Sequence, residues 1–397
     1  MTAVQPGIEA LLKNPPLWLR EKRIGVLVNQ ASVDSRLRHT ADLLVGTYPR
    51  SIRALFGPQH GIRGEKQDNM IESFDFIHPR FNIPAFSLYG ASRSPTADML
   101  DLIDILIIDL QDVGTRVYTF ISTMAYCLQA AGGRGKKVVV LDRPNPIGGE
   151  QVEGNLLRDD CRSFVGVYPL PMRHGLTIGE LALLFNDRYG IHCELEVISL
   201  EGWRRNMLFR ETGLTWVSPS PNMPSPETAL VYPGQVLLEG TNLSEGRGTT
   251  RPFEIAGAPF IEPVLIKGNM EGRRLPGIIL REAYFQPTFN KWQGRVCGGL
   301  HIHVTDPRIF KPYATTIALL QDVQSLYPQQ FSWTHPPYEY EAEKMPIDII
   351  AGDGAVREAV ERQRPLEELE SSWQEDLLSF KEHAQRYHLY NELRAGT

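Results

Sequence analysis

The chain alternates short, nearly uninterrupted apolar runs with polar segments that begin abruptly. Arg23-Ile24-Gly25-Val26-Leu27-Val28 gives way to Asn29-Gln30, and Ile52-Arg53-Ala54-Leu55-Phe56 to Gly57-Pro58-Gln59-His60-Gly61. Ile105-Leu106-Ile107-Ile108 stops at Asp109-Leu110-Gln111-Asp112, and Val138-Val139-Val140-Leu141 at Asp142-Arg143-Pro144-Asn145-Pro146. Runs this short and this rich in β-branched residues predict strands buried on both faces of a parallel sheet. Helical patterns lie between them. A short amphipathic helix falls at Ile8-Glu9-Ala10-Leu11-Leu12, and a second opens at Ser94-Pro95-Thr96 with Ser at its cap. A third covers residues 117–131, closed by Gly132-Gly133, and a fourth runs from the capping box Thr177-Ile178-Gly179-Glu180 to about Tyr189. Strands alternating with helices imply right-handed crossovers, hence an α/β fold with a Rossmann-like, doubly wound, mostly parallel sheet.

The rhythm changes at Trp216-Val217-Ser218-Pro219-Ser220-Pro221-Asn222-Met223-Pro224-Ser225-Pro226, where four prolines in eleven residues rule out a helix interior or a central strand. Beyond this extended connector, residues 277–286 and 295–304 read as longer strands, and residues 314–327 and 365–387 as helices. A chain of 397 residues exceeds what one core usually supports. The expected division is a Rossmann-like N-terminal domain, residues 1–217, and a smaller C-terminal α/β domain, residues 218–397. The polar loop 239–254 is expected to face the cleft between them.

Composition narrows the function. A net charge of -6, with acids and bases intermixed, gives no basic face for nucleic acid. No apolar run reaches the length needed to span a bilayer, and the N-terminus lacks the basic, apolar and small-residue sequence of a secretory signal. Cys127, Cys161, Cys193 and Cys297 lie far apart with no CxxC pair, which argues against a disulfide framework or a cysteine zinc site. A reduced, cytoplasmic protein acting on a small molecule is expected. No glycine fingerprint follows the first strand and no phosphate loop occurs, so no nucleotide cofactor is expected. His301 and His303 alternate on one strand face but lack a nearby third ligand, so packing rather than metal binding is expected of them.

Ligands of open α/β sheets bind beyond the carboxyl ends of the strands. The loops there carry Asn29, Gln30, Gln59, His60, Arg63, Asp109, Asp112, Arg116, Asp142, Arg143 and Asn145, a mixture suited to a neutral, hydroxyl-rich ligand. The segment Glu239-Gly240-Thr241-Asn242-Leu243-Ser244-Glu245-Gly246-Arg247-Gly248-Thr249-Thr250-Arg251-Pro252-Phe253-Glu254 is the densest polar stretch and reads as a ligand-contacting loop. His174 either contacts a ligand or braces its turn, and Glu180 reads as a capping carboxylate.

Six blocks occur in order over about residues 23–328: Phe56-Gly57-Pro58-Gln59-His60-Gly61-Ile62-Arg63-Gly64, Asp109-Leu110-Gln111-Asp112-Val113-Gly114, Leu141-Asp142-Arg143-Pro144-Asn145-Pro146, Arg173-His174-Gly175-Leu176-Thr177-Ile178-Gly179-Glu180, Pro219-Ser220-Pro221-Asn222-Met223-Pro224, and the 239–254 segment. Together they resemble the DUF1343 family, whose characterised members are exo-acting β-N-acetylmuramidases of peptidoglycan turnover and cell-wall recycling, the NamZ type. The resemblance implies release of terminal N-acetylmuramic acid from a glycan or muropeptide, in the inter-domain cleft and without a cofactor. The expected substrate contacts are Asn29, Gln59, His60, Arg63, Arg116, Asp142, Arg143, Asn145, His174, Asn222, Asn242, Arg247, Arg251 and Glu254. The family's first block usually reads Pro-Glu-His-Gly, whereas Gln59 stands here, and an amide supplies no proton. Glycoside hydrolysis normally uses two carboxyl groups, for which Asp112, Glu245 and Glu65 are the candidates. The alternative that Gln59 raises is a non-catalytic sugar- or muropeptide-binding protein on the same scaffold.

Overall fold

A computed structural model describes residues 3–67 and 70–390. Its strands are β1 (Ile24–Val28), β2 (Ile52–Gly57), β3 (Phe76–Ile77), β4 (Pro84–Ser87), β5 (Ile105–Asp109), β6 (Lys137–Leu141), β7 (Glu153–Leu156), β8 (Pro171–Arg173), β9 (Leu195–Ile198), β10 (Ile255–Ala258), β11 (Ile278–Phe285) and β12 (Cys297–Val304). Seven of them form one sheet in the order β3-β4-β2-β1-β5-β6-β9. Every neighbouring pair is parallel except β3 with β4 at the edge. All five residues of β1 and of β5 are buried, as expected for strands covered on both faces. The loops after β1, β2 and β5 all leave the same edge, and the winding direction changes between β1 and β5, the place where α/β sheets put their ligands.

Helix boundaries depart from the apolar pattern in three places. The cap before the short helix Ala97–Asp101 is Thr96, not Ser94, and Thr96 Oγ1 accepts from the Met99 amide at 3.4 Å. The next helix begins at Phe120 rather than Val117, which leaves Tyr118 and Thr119 in a turn. The expected helix over 365–387 is broken into Leu366–Ser372 and Gln374–Ala384, with a 3-10 turn Gln385–Tyr387. Trp373 leaves helical geometry at the break and is buried there. The capping box at Thr177 and Glu180 forms with both reciprocal bonds.

The C-terminal half carries the antiparallel sheet β10-β12-β11, covered by the helices Pro226–Gln235 and Pro263–Gly272, with Pro312–Leu326 packed against both helices. In this sheet a Cβ on Gly257 would stand 2.1 Å from the Gly298 carbonyl oxygen, so the strand pair closes only around glycine. Among the described residues no helix is long and apolar enough to cross a membrane.

Buried polar groups tie the two halves together. The fully buried Arg116 guanidinium donates to the carbonyls of Asn155, Leu170, Ile350 and Ala351. Tyr313 donates to Asn155 at 2.7 Å, and the Ala314 amide donates to Glu153 at 3.0 Å. Burial pushes the Glu153 carboxyl up to about 7 from its usual 4.5. An acid whose folded value is raised binds its proton more tightly in the folded chain, so its contribution to stability is present below pH 4.5 and lost as pH rises through about 7. Glu153→Gln keeps the group neutral throughout. Its stability relative to the parent is expected to rise by about 3 kcal/mol between pH 4.5 and pH 7.5. Urea midpoints across that window check this, and parallel pH profiles for the two proteins would contradict it.

Candidate active site

Loops from both halves close around a cavity of about 30 Å³. The β2 loop supplies Gln59 and His60, the turn before Phe120 supplies Tyr118 and Thr119, and the proline-rich connector supplies Ser220 and Asn222. From the other half come Tyr232, Glu239, Arg247, Phe253, Tyr338 and Glu339. His60 lies in the left-handed region at φ 69° and is followed by Gly61 at φ 81°, so the chain turns sharply enough to aim Gln59 inward. Glu339 and Tyr340 are also left-handed, at φ 46° and 69°. Such backbone costs about 1 kcal/mol or more per residue and persists where surrounding contacts fix it.

Among the described residues two carboxylates face this cavity. Glu239, at the end of the 3-10 helix Val236–Gly240, receives Arg247 Nη2 on Oε1 and the Tyr338 hydroxyl on Oε2, each at 2.5 Å. It is therefore an ion-paired carboxylate with both oxygens occupied. Glu339 is held by neutral donors: the Tyr89 hydroxyl on Oε2 at 2.6 Å and Gln59 Nε2 on Oε1 at 3.2 Å. Burial pushes the Glu339 carboxyl above its usual range, and the nearby Glu239 adds to the rise, against the lowering effect of those hydrogen bonds and of Arg93. Thr119 donates to Gln59 Oε1 at 2.5 Å, which fixes the amide so that its NH2 faces Glu339. The arrangement is a carboxyl disposed to hold a proton beside a carboxylate tied to arginine, the division of labour that glycoside hydrolysis uses.

The residues singled out from sequence are distributed differently. Gln59, His60, Asn222 and Arg247 line the cavity. Asp112 is buried outside its lining, accepting from the Gly114 amide at 2.7 Å with His174 Nε2 at 3.2 Å. Glu245 is enclosed by Lys291 at 3.0 Å and Arg247 at 3.1 Å, so it buttresses the arginine. Glu65 and Arg63 line a separate hollow of about 220 Å³. The structure does not gather Asp112, Glu245 and Glu65 at one point. Arg143 forms a buried ion pair with Asp109, Asp142 accepts from Thr177, Gly179 and Tyr390, and Asn29 donates to the Pro219 carbonyl. Asn145 donates to the Leu176 carbonyl, His174 accepts from the Leu176 amide, and Asn242 donates to the Gln330 carbonyl. These groups, with Arg116, are occupied in bracing the loops and halves.

Arg251 and Glu254 open instead onto a larger cavity of about 410 Å³, with His301, His303 and an apolar floor that includes Leu230 and Val231. The helix Pro226–Gln235 separates the two spaces, presenting Tyr232 to the first and Val231 to the second. The imidazoles of His301 and His303 share a face, with ring centroids 3.9 Å apart.

Sequence reasoning passed over Glu339, Tyr338, Tyr89 and Thr119, and treated Glu239 only as part of a polar stretch. The signal for Glu339 was Pro336-Pro337-Tyr338-Glu339-Tyr340, an acid held between aromatic residues after two prolines, which lies beyond the recognised blocks.

The chain matches the family models described as exo-beta-N-acetylmuramidase NamZ, N-terminal, over residues 24–227 and exo-beta-N-acetylmuramidase NamZ, C-terminal, over residues 230–390. It is 42% identical over 387 residues to the peptidoglycan beta-N-acetylmuramidase NamZ of Bacillus subtilis (strain 168), covering 98% of this chain and 91% of that protein. Two crystal structures of DUF1343 family proteins from Bacteroides fragilis NCTC 9343 share the fold. One is 34% identical with a TM-score of 0.88, covering 98% of this chain and 100% of the other. The second is 28% identical with a TM-score of 0.76, covering 98% and 99%.

Proposed function

Since the chain belongs to the exo-β-N-acetylmuramidase NamZ family, we propose that it is a glycoside hydrolase that releases terminal N-acetylmuramic acid from peptidoglycan fragments, with Glu339 as the acid and Glu239 as its partner carboxylate. The observation that carries the assignment of roles is the contrast between the two groups in one cavity: Glu339 held by neutral donors and pushed up by burial, Glu239 held by Arg247. Glu339 protonates the departing oxygen. Glu239 stabilises the positive charge that develops at the anomeric carbon as the bond breaks, and a water molecule adds to that carbon and gives up a proton, so that sugar and leaving group part as two hydroxyl compounds. Gln59 is then a positioning residue, whose NH2 steadies the carboxylate that Glu339 becomes after giving up its proton.

A cavity of about 30 Å³ holds a water, whereas ligand pockets are commonly about 300–1,000 Å³. Sugar binding therefore requires the walls to part. The segment bearing Tyr338, Glu339 and Tyr340 crosses from the C-terminal half to the β2 loop, so its withdrawal opens the site and its return brings the acid onto the bound sugar. Cys127, Cys161, Cys193 and Cys297 are buried free thiols, which suits a reducing, cytoplasmic compartment where such fragments are recycled.

Incubation with a disaccharide muropeptide carrying N-acetylmuramic acid at its non-reducing end tests the activity. Free N-acetylmuramic acid is the expected product, and an unchanged disaccharide would sink the proposal. The alternative that Gln59 raises is a binder that retains the sugar without turning it over. Calorimetric binding with no product release would select that reading.

A further inference from the structure

Muramic acid differs from glucosamine by a lactyl group that carries a carboxylate, and a buried or half-buried carboxylate is best read by arginine. The arginines closest to the proposed site are mostly committed elsewhere. Arg247 serves Glu239 and Glu245, Arg143 serves Asp109, Arg116 caps backbone carbonyls, and Arg251 pairs with Glu254 in the other cavity. Arg63 lies over Phe76 in the separate hollow that also holds Glu65 and Asp75.

Arg93 is different. Its guanidinium carbon stands 3.7 Å from the Tyr340 ring centroid, 5.1 Å from that of Phe164 and 5.7 Å from that of Tyr89. Among the described residues its buried Nε has no hydrogen-bond partner, while the guanidinium hydrogen-bonds Tyr340 and its charge acts through space on the Glu339 carboxyl. Three aromatic faces thus hold the cation in place beside the acid. The cage is joined directly to the acid, because Tyr340 follows Glu339 in the chain and Tyr89 donates to the Glu339 carboxyl. Tyr340 is 45% exposed, so this face is open to solvent beside the acid.

We infer that Arg93, held by Tyr340, Phe164 and Tyr89, receives the lactyl carboxylate of the substrate and so sets the preference for muramic acid over glucosamine. The inference rests on the muramidase reading above and deepens it. Because Arg93 packs against Tyr340, which lies on the segment that must move to admit sugar, docking of the carboxylate also favours the closed arrangement in which Glu339 faces the reacting bond.

Calorimetry with N-acetylmuramic acid, its methyl ester and N-acetylglucosamine, on the parent, Arg93→Gln and Arg93→Lys, tests this. The parent is expected to bind the acid at least tenfold more tightly than the ester or N-acetylglucosamine. Arg93→Gln is expected to remove that preference, and Arg93→Lys to restore part of it. A merely structural arginine would weaken all three ligands alike, and that result overturns the inference while leaving the muramidase reading intact. Equal binding of acid and ester by the parent overturns it as well. A parent that binds none of the three sugars overturns the muramidase reading, and this inference with it.

Discussion

Glu339→Gln is expected to lower kcat on a disaccharide muropeptide by roughly a thousandfold, within the range of about 10²–10⁴ contributed by a positioned general acid. The sugar oxygen is a poor leaving group and needs the proton that an amide does not supply. A nitrophenyl β-N-acetylmuramide needs that proton far less, so its loss is expected to be much smaller. Gln is close to Glu in shape and still meets the Tyr89 hydroxyl and the Gln59 amide, so binding of N-acetylmuramic acid should change by no more than a few fold. Burial raises the Glu339 carboxyl above its ordinary range. The alkaline limb of the parent's pH profile is therefore expected above the pH at which an exposed glutamate would lose its proton, and to vanish in the variant. Equal losses on both substrates would remove Glu339 from the role of acid.

Glu239→Gln is expected to be comparably damaging with the opposite substrate pattern. Glu239 acts at the anomeric carbon, so the loss of roughly a thousandfold or more should be the same for the muropeptide and the nitrophenyl glycoside. The variant also deprives the buried Arg247 of one partner, although Glu245 remains at 3.1 Å. Removing one member of a buried ion pair costs about 3–5 kcal/mol, and with Glu245 retained about 3 kcal/mol of lost stability is expected. Activity on the two substrates, normalised to the folded fraction from urea titration, separates the chemical effect from the structural one. Retention of activity on the nitrophenyl substrate would exclude Glu239 from the reaction at the anomeric carbon.

The central sheet was legible because its strands are buried on both faces, which leaves apolar runs without alternation, as in Ile105-Leu106-Ile107-Ile108. Local chemistry also showed through, since the Thr177 capping box depends on residues three apart. The helix break at Trp373 was hidden, because burial of that indole is a tertiary event. The site was legible only at its first loop. Polar residues after strands were read as ligand contacts, yet most bond to one another or to backbone, as buried polar groups must. Asp112, Asp142 and Arg143 are of this kind. Glu339 went unnoticed because what makes it chemically distinctive, the contact with Gln59 across 280 residues, is set by the meeting of the two halves.

Gln59 remains the position on which the reading turns. Turnover by the parent and by Gln59→Glu, measured side by side on the disaccharide muropeptide, weighs it most directly. A glutamate there would set a second carboxyl against Glu339 in place of an amide donor, and like charges so close cannot both ionise. The expected result is that the parent releases N-acetylmuramic acid unaided and that Gln59→Glu does so more slowly at neutral pH, with its profile displaced. An inert parent and an active Gln59→Glu would contradict the assignment of Glu339 as the acid.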